Sequence, residues 1–247
     1  MPRKAQTESL ADSHAAPGGA AAVDRALTLL AAFKAGDTAL GLAELAARTQ
    51  LYKSTVLRLL ASLEHARLVQ RLDDGRYGLG PEVARLHGIY AASFSLDKVV
   101  LPVLRELVAQ TGESAAYHVR QGDARLCLYR VDSPHPVRDH LQAGDLLPMD
   151  RGTGARILIA FDADPARARG QKDKDLYAKI RQQGFYTASG DRLAEVAGIS
   201  APVFRTDRQG RPELAAALTL TMPAARYQEN YVQAVLGCAR KLSGLLG

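Results

Sequence analysis

Residues 42–63 read LAELAARTQLYKSTVLRLLASL. Two short helical patterns are separated by a polar interruption, RTQLYKST. The second pattern runs from Lys53 to about Arg67. Val56, Leu59, Leu60 and Leu63 recur at i, i+3, i+4 and i+7, so one face of this helix is apolar. Ser54, Arg58 and Ser62 lie on the opposite face, with Thr55 beside them, and Lys53 opens the helix. A helix that only had to cover a core would need no such pairing of an aliphatic back with short hydroxyls and a guanidinium. A helix that enters the major groove of DNA needs both: a back to hold it to its scaffold, and a front of short or forked polar groups to read base edges.

The flanking sequence supports that use. Upstream, VDRALTLLAAFKAG (23–36) predicts a helix with Val23, Leu27 and Leu30 inward and Gly36 as its stop. LAELAART predicts a second, with Leu42, Leu45 and Ala46 inward. Downstream the period falls from 3.6 to 2. Leu68, Val69 and Leu72 lead into Asp74-Gly75, a hairpin turn, and Tyr77 and Leu79 follow. Three helices and a hairpin make a winged helix-turn-helix. In that frame Lys53 and the helix N-terminus suit phosphates. Ser54 and Thr55 suit phosphate or base edges, Arg58 suits a guanine, and Arg71 and Arg76 suit phosphates beside the groove. The plainer alternative is a helical subdomain with a solvated basic face.

The 247 residues suffice for two modest domains. Net charge is +6. Residues 1–80 contribute +2 (10 cations, 8 anions), and the remainder +4. The basic signal is local: between Arg48 and Arg76 six cations face three anions, which favours an anionic partner. Cys127 and Cys238 form no disulfide framework, which suits a reducing compartment. Residues 1–21, rich in Ala, Gly and Ser, predict a disordered leader. They lack the apolar stretch of a signal peptide, and no run reaches membrane-span length, so a cytoplasmic location is expected.

Beyond the hairpin, Pro81 opens a connecting helix over 81–95, and a further helix follows from about Leu96 to Gln110, with Pro102 as its start or its bend. Then come strand-like runs ESAAYHVR, ARLCLYRVD and HLQAGDLLPM, a helical GARILIAFD, a charged helix near Asp173–Gln182, strands ISAPVF and ELAAALTLT, and a C-terminal helix from about Ala225 to Leu246. Alternation in ELAAALTLT puts Leu214, Ala216, Leu218 and Leu220 on one face. Ala215, Ala217, Thr219 and Thr221 occupy the other.

AVDRALTLLAAF, LAELAART, LYKSTVLRLLASLEHARLVQR and GRYGLGPEVARL together resemble the DNA-binding half of the IclR family of bacterial transcription regulators. GDLLPMDRGTGARILIAF and GISAPVF resemble that family's effector-binding domain, so the likeness spans about residues 22–246. It implies an α+β chain: a winged helix-turn-helix over 22–80, a linker helix over 81–95, and a GAF-like or profilin-like domain over 96–247, a sheet flanked by helices. The implied function is a repressor or activator that binds a palindromic operator as a homodimer or homotetramer and answers to a small metabolite. Two positions depart from the pattern. Gln50 stands where the turn often carries Gly, and Ala155-Arg156 replaces a Gly-Lys pair.

In the family fold Gly198 and Ser200, and the loop Thr153-Gly154-Ala155, would lie beside the Thr219/Thr221 face. A Gly-rich loop opening a helix favours a carboxylate, and hydroxyls of Ser200, Thr219 and Thr221 would complete its hydrogen bonds, with Asp191 as a lid or donor-binding group. The expected ligand is a small organic or aromatic acid. The plainer alternative is that Ala and Thr on this face simply pack against a helix. No catalytic residue, metal or cofactor is expected. His135, His140 and Asp139 fit no zinc spacing, GTGARI lacks the third Gly of a dinucleotide loop, His118 reads as a pocket wall or core residue, and Cys127 as an inert core thiol. The competing class is an enzyme acting on a small carboxylate with an appended helical domain.

Overall fold

The computed structural model describes residues 9–13, 15–34, 36–94, 96–162, 173–207 and 209–247. Residues 1–8 of the expected leader, and residue 95 at the end of the expected linker, lie outside them. The chain divides into two compact units, Met1–Phe94 and Ser95–Gly247.

In the first unit the helices are α1 (Leu10–Ser13), α2 (Ala21–Ala31), α3 (Leu42–Thr49), α4 (Lys53–His65) and α5 (Pro81–Phe94). The hairpin pairs β1 (Val69–Arg71) with β2 (Tyr77–Leu79), and Leu40 bridges Tyr77 as a short third rung. Where a structureless leader was expected, α1 forms. The Ser9 hydroxyl bonds Asp12 at 2.6 Å, and Arg25 of α2 holds the same carboxylate at 2.8 Å.

The core of this unit joins Leu29, Leu45, Val56, Leu60, Leu63, Val69 and Tyr77. It corrects the inward stripe expected for the first helix. Val23 and Leu27 are 55% and 56% exposed, whereas Leu29 is 1% exposed and Ala26, Leu30 and Phe33 pack against the core. The helix carries apolar residues on two sides, and α3 and α4 take the side centred on Leu29.

The turn between α3 and α4 places Gln50 at φ 57°, in the left-handed region. A side chain there costs about 1 kcal/mol that glycine avoids, less the entropy glycine brings to the unfolded chain. Gln50→Gly is therefore expected to stabilise this unit by no more than about 0.5 kcal/mol, read as a small upward shift of its urea midpoint.

The second unit is a six-stranded, wholly antiparallel sheet in the order β5-β4-β3-β8-β7-β6. Its strands are β3 (Ser114–Gln121), β4 (Ala124–Val131), β5 (Leu146–Pro148), β6 (Tyr186–Ser189), β7 (Val196–Thr206) and β8 (Pro212–Pro223). One face packs on α6 (Leu96–Thr111) and α9 (Tyr231–Leu246) through Val103, Leu104, Leu107, Val235 and Leu242. The other packs on α7 (Thr153–Ala160) and α8 (Lys174–Gln183) through Ile157, Leu158, Tyr177 and Ile180. Pro102 lies inside α6, six residues after its first, so the helix starts ahead of it. The expected strand at 140–149 is only the three residues of β5, and β6 was not foreseen.

The alternation expected for β8 holds from Ala216 to Leu220 and fails at Leu214. The register slips between Val203 and Phe204, so that Ala215 has no partner on β7. Leu214 is thereby turned to the α7/α8 face.

Candidate nucleic-acid interface and ligand cavity

The front of α4 stands clear of its own unit. Lys53, Ser54 and Arg58 are exposed and Thr55 is half-buried, while Val56, Leu60 and Leu63 are buried behind them. None of these four polar side chains makes a hydrogen bond or ion pair among the described residues. Tyr52 and Leu57, which sequence reasoning passed over, share the front at 64% and 47% exposure. On a helical wheel Leu57 falls about 60° from Ser54, one turn earlier, so the signal was there.

The other cations divide. Arg48 is committed to the scaffold: it holds Asp37, Glu44 at 2.7 Å and the Ala32 carbonyl at 2.9 Å. It contributes little free charge. Arg71 lies 5.9 Å from the centre of the Tyr77 ring. Arg76 pairs with Asp74 at 2.6 Å across the turn, and both are exposed, where such a pair is readily exchanged for a phosphate.

In the second unit a small cavity lies between the sheet and the N-terminal end of α7. Of the eight sequence candidates it brings together Thr153, Gly154, Asp191, Gly198, Thr219 and Thr221. Two are placed otherwise. Ala155 is fully buried in the α7–sheet core, because the helical turn carries residue 155 about 100° past 154. Ser200 is also fully buried, just behind the wall, where its hydroxyl bonds Thr153 at 2.8 Å and Thr219 at 2.9 Å. Asp191 accepts from the Gly152 N–H at 3.0 Å and pairs with Arg156 at 3.3 Å. It thus fixes the loop that opens α7, and the departure at Arg156 supplies its counter-charge.

The cavity also contains residues that sequence reasoning did not select. Arg125 of β4 is 3% exposed. Its guanidinium donates to the carbonyls of Pro148 and of Arg151, the latter at 2.7 Å. Gly152 (φ 90°) makes room for it, since a Cβ there would sit 2.6 Å from Arg125 Nη2. His118 of β3 bonds Thr219 Oγ1 through Nδ1 at 3.2 Å. Leu141 and Leu147 add apolar wall, and Arg192 completes the lining. The Leu141 loop is anchored by Asp139, which is held by Arg130 and by Arg192 at 2.7 Å.

The electrostatics are lopsided. Arg130, Arg156 and Arg192 each have a carboxylate partner: Arg130 holds Asp132 at 2.7 Å and also Asp139, Arg156 holds Asp191, and Arg192 shares Asp139. Arg125 alone has no carboxylate partner among the described residues. Burial, reinforced by the charge of Arg192, holds its guanidinium down at about 10. Burial likewise drives His118 from 6.5 down to about 3, with Arg125, Arg130 and Arg192 adding to the effect. His118 is therefore neutral when folded and titrates at 6.5 when unfolded. Protons then favour the unfolded state: stability present above pH 6.5 is lost as pH falls toward 3. Between pH 7 and 5 the loss should be about 2 kcal/mol, visible in urea midpoints and absent in His118→Gln.

A family model described as the IclR helix-turn-helix domain matches residues 22–73. A probable transcriptional regulator, SauR of Cupriavidus necator, is 27% identical over 224 residues, covering 83% of this chain and 87% of that one. The crystal structure of a putative IclR transcriptional regulator from Silicibacter sp. TM1040 superposes with a TM-score of 0.78 at 25% identity, covering 92% of this chain and 96% of that one. An IclR homologue from Microbacterium hydrocarbonoxydans, solved with 4-hydroxybenzoate, has the same fold: TM-score 0.78, 21% identity, 91% of this chain and 98% of that one. A matched helix-turn-helix unit, a likeness to regulators that runs through both units, and a shared two-unit architecture place this chain in the IclR family of transcriptional regulators.

Proposed function

We propose that the protein binds a palindromic operator as a homodimer or a pair of dimers, and that a small organic or aromatic acid in the cavity of the second unit alters its affinity for that DNA. One observation carries the DNA reading: the polar front of α4 is open and uncommitted while its back is buried. Arg58 is the groove-facing guanidinium. Lys53, Ser54 and Thr55 take phosphate or base edges, and Arg71 and Arg76 take phosphates from the wing. Self-association draws support from apolar side chains left exposed on the first unit's helices, Val23 and Leu27 of α2 and Leu86 of α5. The acid reading draws support from Arg125, buried in the cavity wall without a carboxylate partner among the described residues, and from the 4-hydroxybenzoate held by the Microbacterium homologue. Regulation would be a population shift: an acid that prefers one arrangement of the winged units changes operator affinity by that preference.

The test is a footprint and gel-shift series on the DNA flanking the protein's own gene. Arg58→Ala should weaken specific binding by about 1–3 kcal/mol, the worth of one bidentate base contact. Lys53→Ala should weaken binding to all sequences alike and lower the salt slope by about one. Unchanged affinity in Arg58→Ala would remove α4 from the groove.

A further inference from the structure

Leu57 is a large aliphatic side chain left 47% exposed on α4, whose other leucines, Leu59, Leu60 and Leu63, are buried or half-buried. A single exposed leucine is ordinary on a protein surface, so its neighbours decide what it means. Leu57 follows Lys53 by four residues and Ser54 by three, and therefore stands one turn beyond both and between them. On the helical wheel it lies about 40° from Lys53 and about 60° from Ser54. Ala61, also exposed, is one turn further on and too short to cover it. A helix docked with its first residues against base edges brings Leu57 into the groove along with Lys53 and Ser54.

We propose that Leu57 is a specificity-determining residue that reads the 5-methyl group of a thymine in each operator half-site. The inference rests on the reading of α4 as the helix that enters the groove, and extends it to a base identity. Leucine carries no donor or acceptor. Against the major-groove edge of guanine, adenine or cytosine it would strip water from polar atoms and give them nothing in return, which costs affinity. Thymine alone presents a methyl group there, and burying that methyl against an aliphatic side chain is favourable. Leu57 thus discriminates by what it gains at thymine and by what it forfeits elsewhere. A protein partner is the poorer occupant. Leu57 and Ala61 offer two apolar side chains where a specific protein interface covers about 800 Å² on each partner, and the exposed cations Lys53 and Arg58 flank them.

The test replaces thymine by deoxyuridine in the footprinted operator, one symmetric pair of positions at a time, and titrates the full-length protein in gel shifts. The exchange deletes the methyl and leaves base pairing and every hydrogen-bonding group in place. At one thymine of each half-site it should weaken binding about fourfold, and so about fifteenfold when both half-sites are changed, the worth of one buried carbon each. Leu57→Ala should bind the thymine operator as weakly as the native protein binds the uracil one. It should bind the two operators within twofold of each other, with the salt slope of the native protein, since no phosphate contact is lost. No uracil-sensitive thymine anywhere in the footprint, or a uracil penalty that persists in Leu57→Ala, overturns the proposal. The groove-facing reading of α4 then still stands if Arg58→Ala weakens specific binding, and falls with it if Arg58→Ala does not. The uracil series on the native protein decides even if Leu57→Ala is poorly folded.

Discussion

Gly80→Ala is expected to cost the winged unit about 3 kcal/mol or more and to abolish operator binding at temperatures where the native protein is folded. Gly80 closes the wing and immediately precedes α5. Its N–H bonds the Leu68 carbonyl at 2.9 Å, and the next turn returns from Glu82 N–H to the Arg67 carbonyl at 3.1 Å. The chain is so close here that a Cβ on residue 80 would fall on the Arg67 carbonyl oxygen, with the carbonyl carbon 2.8 Å away. Backbone cannot rotate aside as a side chain can. Relief would have to come from Arg67, which already sits at φ 57° to end α4. A unit of this size has little stability to spare. Gly41→Ala is the control: a Cβ there meets nothing within 4 Å and the backbone is extended, so its melting curve should match the native one. Circular dichroism against temperature distinguishes the two, and the gel shift should follow the melt.

The same closeness explains why some of the molecule was legible in advance and some was not. The recognition helix could be read because its apolar residues fall on a single stripe. One packing solution then fits, and the polar front follows by exclusion. The first helix could not be oriented that way. Val23 and Leu27 form one apolar row, Ala26, Leu30 and Phe33 another, and only the arrival of α3 and α4 decides between them. Leu214 was misplaced because strand alternation assumes an unbroken ladder, and a bulge leaves no mark in composition. In the cavity, small and hydroxyl residues on β7, β8 and the α7 turn were visible as an unusually polar strand face. Arg125 was not, because arginine in a strand is expected to reach solvent. Its burial depends on Gly152, 27 residues later in the chain, leaving its Cβ position empty. No local pattern connects those two residues.

Arg125 is also where function and stability should separate most clearly. Arg125→Met is expected to lower the affinity for any acid ligand by about a hundredfold, near the upper end for a hydrogen-bonded charge partner. Folding should be affected far less. The guanidinium is buried without a carboxylate, and its lowered affinity for a proton measures how poorly the site tolerates the charge. Replacing it with a flexible apolar side chain of similar length removes that desolvation cost, which offsets the two lost bonds to the Pro148 and Arg151 carbonyls. The native protein should therefore gain thermal stability on adding acid, by mass action on the folded state, whereas the variant's melting temperature should start within a few degrees of the native value and stay flat across the titration. A variant that melts far below the native protein would make Arg125 a structural strut. A variant that still responds to acid would move the counter-charge to Arg192, the other guanidinium lining the cavity.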